Sequence, residues 1–250
     1  MSYRDKLVEI YRDTQSKCRT GKFKTLECSE SILYKFDDPA LDIVCAPVYK
    51  TEILVVNDLV LNVAEKLFRS GHENIMVLNL ASGSCPGGGV VRGAVAQEED
   101  IFRKTNYFLS LTPKFYPIAL KNMIYTGKVF VIKDENFIDL EKPFCVSMLA
   151  AHAIRNPVLT NGRYKQEDYL IMKNTVENIF KVAYLKKKEV LVLGALGCGA
   201  YNNPPAIIIS IFNEYLKKYA GCFKKIVFAV YSRRDDNFDM FNLKLHRSFK

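Results

Sequence analysis

One stretch of the sequence constrains the fold more than any other: an apolar run at residues 75–80 that leads into three consecutive glycines, Gly87, Gly88 and Gly89. An apolar run of this length is typical of a buried strand in a parallel sheet. Glycine has no side chain, so a run of glycines lets backbone N–H groups approach a ligand closely. Since open α/β sheets bind ligands at the carboxyl ends of their strands, the pattern predicts a buried strand followed by a ligand-binding loop.

Two adjacent carboxylates follow the glycines at a short distance. Gln97, Glu98 and Glu99 stand where the chain is predicted to turn helical, from residue 96 or 97 through 102. Beside a glycine loop, such a pair places an acid next to a bound phosphate or sugar. The alternative is a tight turn followed by a helix whose acids are solvated.

A second glycine-rich block lies far downstream. Residues 190–193 are apolar and predict a strand, and residues 194–205 then read Gly-Ala-Leu-Gly-Cys-Gly-Ala-Tyr-Asn-Asn-Pro-Pro. A helix is predicted to begin near Pro205, and its N-terminus adds a partial positive charge beside the loop. Two amide-rich loops from separate strands are suited to hold an anionic ligand between them.

The rest of the chain alternates predicted strands and helices, which favours an α/β fold with a mixed, mostly parallel sheet covered on both faces. Residues 1–250 are expected to form a single domain, with residues 1–50 as an N-terminal extension that contains a helix at 3–20 and an extended piece at 43–45. The other predicted strands are 53–56, 129–132, 144–149 and 226–231, and the other predicted helices are 167–185, 206–219 and one capped by Asn57 or Asp58 that runs through 68.

Composition excludes several classes of protein. No apolar run approaches the roughly 20 residues of a membrane span, and the first residues lack the apolar stretch of a secretory signal. The seven cysteines are scattered without Cys-x-x-Cys spacing, and the three histidines are not clustered near them. Neither a disulfide framework nor a metal site is therefore predicted. A soluble protein of the cytoplasm is expected, or of the nucleus if the source is eukaryotic or viral.

The chain is basic, with a net charge of +9 and clusters at residues 186–188, 217–218, 224–225 and 233–234. Such an excess suits a polyanionic partner. The alternative is ordinary solvated helix faces, and it is favoured for residues 186–188, because lysines at a helix end complement the helix dipole.

The two glycine blocks resemble the motifs of the poly(ADP-ribose) glycohydrolases, and the run at 77–90 is similar to the compact, bacterial-type branch. The family pattern reads Gly-Gly-Gly, a spacer and Gln-Glu-Glu, and later Gly-Ala-aromatic-Gly-Cys-Gly after a strand. Because both blocks and their flanks occur in the family's order, the resemblance covers nearly the whole chain. It implies a macrodomain-like, three-layer α/β/α fold and hydrolysis of the ribose–ribose O-glycosidic bond with release of ADP-ribose. That reaction needs water and an acid, and no cofactor or metal.

The resemblance also implies roles for individual residues. Glu99 would be the general acid that protonates the oxygen leaving the anomeric carbon and then takes a proton from water. Glu98 would hold the neighbouring ribose by its hydroxyls, and Gln97 would orient the loop. The residues implied to bind the ligand, chiefly through amides that clamp a diphosphate, are Asn79, Gly87, Gly88, Gly89, Gly197, Cys198, Gly199, Ala200, Tyr201 and Asn203.

Some of these positions have a second interpretation, and others depart from the family pattern. Asn79 could instead cap the loop through its own backbone, and Tyr201 could instead pack into the core. The family's asparagine before Pro-Gly-Gly is Cys85 here, an aromatic of the second loop is Leu196, and an acid is replaced by Pro204. These departures bear on affinity and leave the two glutamates in place.

Three hypotheses for function follow. The first is a hydrolase of poly(ADP-ribose), with hydrolysis of a single ADP-ribose from a protein as a close variant. The second is a module that binds ADP-ribose without cleaving it, which has no need of the Gln97-Glu98-Glu99 element. The third is a nucleic-acid binder, which leaves both glycine loops without a purpose. The first is preferred, for a monomer whose substrate is poly(ADP-ribose) or an ADP-ribosylated protein.

Overall fold

The apolar runs of the sequence become the central strands of a seven-stranded sheet. In the computed structural model, which describes residues 1–233 and 235–246, the strands are β1 (Ser31–Tyr34), β2 (Glu52–Val56), β3 (Ile75–Leu80), β4 (Met123–Lys133), β5 (Asp139–Ala151), β6 (Leu159–Thr160), β7 (Arg163–Tyr164), β8 (Val190–Leu193) and β9 (Lys225–Ala229). The helices are α1 (Tyr3–Arg19), α2 (Val60–Arg69), α3 (Gln97–Lys104), α4 (Gln166–Leu185), α5 (Pro205–Lys218) and α6 (Asn237–Lys244).

The large sheet has the strand order β1-β4-β5-β3-β8-β9-β2, and β6 and β7 form a separate small hairpin. The four pairs that join β5, β3, β8, β9 and β2 are parallel, whereas β4 pairs antiparallel with both β1 and β5. The predicted mixed, mostly parallel sheet is therefore confirmed. Strand β3 lies in the middle and delivers the glycine loop at its carboxyl end.

Helices cover both faces of the sheet. Alternate residues of a strand point to opposite faces, and on β3 Met76 and Leu78 belong to one apolar cluster while Ile75 and Val77 belong to the other. The first cluster includes buried residues of α4, α5 and α6, and the second includes buried residues of α1, α2 and α3. The result is the three-layer α/β/α arrangement that the resemblance implied.

Helix α1 anchors the N-terminal part of the chain beside the glycine loop. The Thr14 hydroxyl donates to the Arg103 carbonyl at 2.5 Å, and the buried Arg103 guanidinium donates to the Leu7 and Ala94 carbonyls at 3.2 and 2.6 Å. A Cβ on Gly93, whose φ is +70°, would lie 2.5 Å from the Arg4 carbonyl oxygen. Helix α1 thus packs against α3 and the segment that connects the glycines to it.

Several boundaries expected from the sequence are wrong. The apolar residues 43–45 form no strand, and Val44 is 95% exposed. The first strand is instead β1, at the edge of the sheet. Helix α2 is capped by Leu59 rather than by Asn57 or Asp58, although Asp58 accepts a hydrogen bond from the Leu59 N–H at 2.8 Å. Helix α6 was not predicted.

Within residues 1–233 and 235–246, no helix is both long enough and apolar enough to cross a membrane.

Candidate active site

Two loops meet at the carboxyl ends of the parallel strands. Residues 81–96 connect β3 to α3, and residues 194–204 connect β8 to α5. Because β3 and β8 are neighbours in the sheet, the two loops emerge side by side. The Gly83 N–H donates to the Tyr201 hydroxyl oxygen at 3.3 Å and joins them directly.

Gln97 fixes the start of α3 against the end of β3. Its Oε1 accepts from the Leu80 N–H at 2.6 Å, and its Nε2 donates to the Leu78 carbonyl at 3.0 Å. These peptide groups lie beyond Val77, the last residue of β3 that pairs with β8. The side-chain amide therefore continues the hydrogen bonding of the sheet edge and holds the next two residues of α3 beneath the loop.

Glu98 is 3% exposed and is held from three directions. Its carboxylate accepts from the Ser82 N–H at 2.7 Å, the Asn79 side-chain amide at 3.2 Å and the Gly87 N–H at 3.3 Å. Burial, supported by the neighbouring charge of Glu99, raises the pKa of Glu98 to about 7, against the opposing effect of these donors. A carboxyl of this kind changes its charge near neutral pH.

Glu99 lies beside Glu98 and is 7% exposed. Its Oε1 accepts from the Gly89 N–H at 2.7 Å, and its Oε2 accepts from the Ala96 N–H at 3.1 Å. The second bond satisfies one of the free N–H groups at the start of α3. Both oxygens are thus held by the backbone of the loop that precedes the helix.

The glycine run folds over the two carboxylates. A Cβ on Gly88, whose φ is +54°, would lie 2.6 Å from Oε1 of Glu99 and 3.2 Å from Oε2 of Glu98. Gly87 and Gly89 donate to the two glutamates, and the Gly88 N–H donates to the Cys85 carbonyl at 3.3 Å. The sequence predicted that these amides bind a diphosphate. In the structure each already has a partner within the protein: the amides of Gly87 and Gly89 bind the carboxylate pair, and that of Gly88 closes the turn at Cys85.

Asn203 organises the second loop from the inside. It is 2% exposed, its Nδ2 donates to the carbonyls of Ile154, Gly197 and Tyr201 at 2.8–3.1 Å, and its Oδ1 accepts from the Tyr164 hydroxyl at 2.6 Å. Every polar atom of the Asn203 side chain is thus used to shape the loop, and the predicted contact of this residue with a ligand stays a prediction.

The second loop leaves several amides free. Within the described residues, no acceptor bonds the N–H groups of Gly197, Gly199, Ala200 or Tyr201. Asn202 takes the left-handed conformation, with φ of +54°, which asparagine adopts more readily than most residues. The loop leads directly into the N-terminus of α5, which contributes its partial positive charge.

The other residues of the second loop face partly inward. Cys198 and Tyr201 are partly buried against the core, and burial raises the pKa of the Cys198 thiol to about 12, so the thiol is unreactive at neutral pH. Leu196 is buried, and Pro204 caps α5 without a side-chain hydrogen bond. Tyr201 both packs inward and lines a cleft of about 230 Å³ with Gly83, Leu120, His152 and Arg155.

The Asn79 side chain bonds a glutamate, and its predicted contact with a ribose stays a prediction. Its Nδ2 donates to Glu98, and its Oδ1 is buried without a partner among the described residues. The alternative of a cap through its own backbone is not observed. Two tyrosines that sequence reasoning missed, Tyr107 and Tyr116, also carry buried hydroxyls that lack a partner there. No local motif marks them, since they are brought to the site only by the path of the chain between α3 and β4.

Of the basic clusters, Arg234 lies outside the described residues. Lys186, just after α4, lies over the rings of Tyr34 and Tyr125 at 5.4 and 5.3 Å, so this cluster packs against aromatic rings beside β1 and β4. Among the described residues, no group of three or more His, Cys, Asp or Glu side chains has an arrangement that could hold a metal ion.

Comparison with known proteins shows what the chain is similar to. The model described as "Microbial-type PARG, catalytic domain" matches residues 11–134. The structure of poly(ADP-ribose) glycohydrolase (PARG) from Deinococcus radiodurans in complex with ADP-ribose has a TM-score of 0.74 and 25% identity, and the match covers 86% of this chain and 93% of that chain. Over residues 11–134 the chain matches the microbial-type PARG catalytic domain.

Two structures from Thermomonospora curvata share the fold across nearly the whole chain. PARG from this organism has a TM-score of 0.85 and 24% identity, and the match covers 96% of this chain and 100% of that chain. The same protein bound to the inhibitor ADP-HPD has a TM-score of 0.81 and 24% identity, with 95% and 98% covered. No curated protein matches the chain.

The PARG family match and the structural matches cover different parts of the site. The family model ends at Asp134, so it includes the glycine loop, Glu98 and Glu99, and leaves out the loop after β8. The structural matches to PARG span the strands that carry both loops.

Proposed function

We propose that the protein is a poly(ADP-ribose) glycohydrolase that cleaves the ribose–ribose O-glycosidic bond and releases ADP-ribose. The observation that carries this proposal is the pair of buried carboxylates, Glu98 and Glu99, held beneath the glycine loop by the loop's own amides. A module that only binds ADP-ribose has no need to bury two adjacent acids, because an ionised carboxyl is costly to bury without a purpose. The match to the PARG catalytic-domain model and the similar structure solved with ADP-ribose support the same substrate class.

In the proposed reaction Glu99 is the general acid and base. It protonates the oxygen that leaves the anomeric carbon, so that the bond breaks through an oxocarbenium-like state, and it then accepts a proton from the attacking water. Its two backbone bonds, to Gly89 and Ala96, fix the carboxyl in one orientation. Glu98 accepts hydrogen bonds from the hydroxyls of the ribose, and Gln97 orients both glutamates through its bonds to β3.

The diphosphate is assigned to the second loop. The free N–H groups of Gly197, Gly199, Ala200 and Tyr201 and the N-terminus of α5 supply donors and positive charge without crowding the anion. The amides of Gly87 and Gly89 serve the glutamates instead. The loop after β3 therefore holds the two glutamates, and the loop after β8 holds the diphosphate.

The finer features of the biology are part of the same proposal. The protein acts as a monomer, and the positive charge of +9 attracts the polyanionic polymer rather than serving a separate nucleic-acid function. All seven cysteines are free, which supports an intracellular, reducing environment.

The test is release of ADP-ribose from automodified polymer by the wild-type protein and by Glu99→Gln. We expect turnover to fall by about 10²- to 10⁴-fold in the variant, the range attributed to one general acid, while ADP-ribose binding is retained. Glu141→Gln, at an exposed position on β5, is the control and should match the wild type. Binding of polymer without release by the wild type would favour the binding module, and normal turnover by Glu99→Gln would remove Glu99 from the mechanism.

A further inference from the structure

Three buried polar atoms of the described residues have no hydrogen-bond partner: Oδ1 of Asn79 and the hydroxyl oxygens of Tyr107 and Tyr116. Buried polar groups are nearly always paired, and each exception calls for an explanation. The Tyr107 hydroxyl interacts with the side chains of Asn79 and Thr126, so these groups can satisfy one another. Within the part of the chain that the structure describes, the Tyr116 hydroxyl has no such neighbour. Because an unpaired buried group destabilises the fold, the Tyr116 hydroxyl indicates a role other than stability.

All three residues interact with Glu98. Asn79 donates to the Glu98 carboxylate through its other side-chain atom. Burial raises the pKa of the Tyr107 and Tyr116 hydroxyls, and the charge of Glu98 acts on both in the same direction. Both phenols therefore remain protonated at neutral pH and keep an O–H group to donate.

Of the two tyrosines, Tyr116 lies nearer to the meeting point of the loops. Its hydroxyl interacts electrostatically with Cys85 of the first loop and Tyr201 of the second, as well as with Glu98 and Tyr107. Two residues further along, the Ile118 N–H donates to the Gly83 carbonyl at 2.9 Å and ties this segment to the first loop. Tyr107 is fully buried among the aromatic residues of the core.

We propose that Tyr116 is a sugar-binding residue whose hydroxyl hydrogen-bonds the ribose that Glu98 holds. This inference rests on the proposed function. The two neighbouring hydroxyls of a ribose offer both donors and acceptors. An ionised Glu98 only accepts, so it pairs with the hydroxyl hydrogens and leaves the hydroxyl oxygens without a donor; the Tyr116 O–H donates to one of those oxygens. A phosphate in the same position would be repelled by the Glu98 charge.

The same loop covers both groups. Glu98 lies beneath Gly88. The Tyr116 hydroxyl interacts electrostatically with Cys85, and the Cys85 thiol donates to the Gly88 carbonyl at 3.3 Å. A displacement of residues 85–88 that admits the ribose to Glu98 therefore exposes Tyr116 as well. The hydroxyl gains its partner in the bound state, which accounts for its lack of one in the free protein.

The test compares two ligands by titration calorimetry: ADP-ribose, and ADP, which lacks the ribose beyond the diphosphate. In Tyr116→Phe we expect the Kd for ADP-ribose to rise roughly tenfold, the effect of about one hydrogen bond. The Kd for ADP should stay unchanged, and the Tm should stay equal or rise, because an unpaired buried hydroxyl has been removed.

The matched control is Tyr125→Phe. The Tyr125 hydroxyl is buried but donates to the Ser147 hydroxyl at 3.2 Å, so its removal should lower the Tm and leave both Kd values unchanged. An unchanged Kd for ADP-ribose in Tyr116→Phe, an equal loss for both ligands, or absence of ADP-ribose binding by the wild type would overturn the proposal. The proposed function is tested separately: it fails if the wild type releases no ADP-ribose from the polymer.

Discussion

At Gly88 the absence of a single methyl group allows two carboxylates to lie directly beneath a loop. The residue combines a left-handed backbone, which glycine adopts at least cost, with a position where a Cβ would lie 2.6 Å from a Glu99 oxygen. Gly88→Ala therefore adds a steric effect to a conformational one. We expect a lower Tm and a large loss of ADP-ribose release, because Glu99 must move to accommodate the methyl group.

Gly71→Ala separates the two effects. Gly71 also has a positive φ, of +88°, and a Cβ there would meet no atom within 4 Å. This variant should lose roughly 1–2 kcal/mol of stability and release ADP-ribose at the wild-type rate. Equal losses of ADP-ribose release in both variants, measured in the same polymer assay, would mean that the contact between a Cβ at position 88 and Glu99 has no effect on activity.

At the scale of the element, the loop after β8 owes its shape to one side chain. Asn203 makes four hydrogen bonds, which connect the loop to Ile154 after β5 and to Tyr164 on β7. Asn203→Ala leaves three carbonyls and a hydroxyl without this partner. The free amides of Gly199 and Ala200 then lose their fixed orientation, so we expect a lower Tm and an ADP-ribose Kd raised by at least tenfold.

The neighbouring residue provides the comparison for this loop. Asn202→Gly removes one exposed hydrogen bond to Asn156 and keeps the positive φ without strain. It should leave both the Tm and the ADP-ribose Kd close to those of the wild type. If calorimetry gave the same Kd for Asn203→Ala as for Asn202→Gly, the loop would not need its internal support.

The sequence predicted the central elements well and the peripheral ones poorly. Strands β3 and β8 were predicted with the observed bounds, because their apolar runs are buried on both faces. Strand β1 was missed because it is a four-residue edge strand with little buried surface, and α6 because Phe241 is its only fully buried residue among those described. Residues 43–45 are apolar, but Val44 is exposed, so apolar composition alone was misleading.

The parts of the site that depend on a short sequence motif were predictable. The glycine run and the Gln97-Glu98-Glu99 element lie together as expected. The direction of the glycine amides and the buried polar atoms of Tyr107 and Tyr116 were not predictable, because they depend on contacts between segments far apart in the chain. The internal role of Asn203 is of the same kind, since its partners lie after β5 and on β7.

For the molecule as a whole, Glu98 links the site to the stability of the fold. Its pKa of about 7 in the folded protein exceeds the ordinary 4.5, chiefly because of burial. Below pH 4.5 the folded and unfolded states both carry the proton. Between pH 4.5 and about 7 the unfolded chain releases it while the folded protein keeps it, so stability falls as pH rises through this window. The loss amounts to about 3 kcal/mol above pH 7.

Thermal melts at pH 5 and pH 8 test this linkage in Glu98→Gln, which cannot titrate. From pH 5 to pH 8 the Tm of the wild type should fall by roughly 5–10 °C more than the Tm of Glu98→Gln. This range follows from the usual relation between free energy of unfolding and Tm for a chain of this size. Glu141→Gln, exposed on β5, should keep the wild-type pH dependence. Equal pH dependence of the Tm in the wild type and Glu98→Gln would show that the folded protein does not hold the Glu98 proton. Ionisation of Glu98 would then not destabilise the fold.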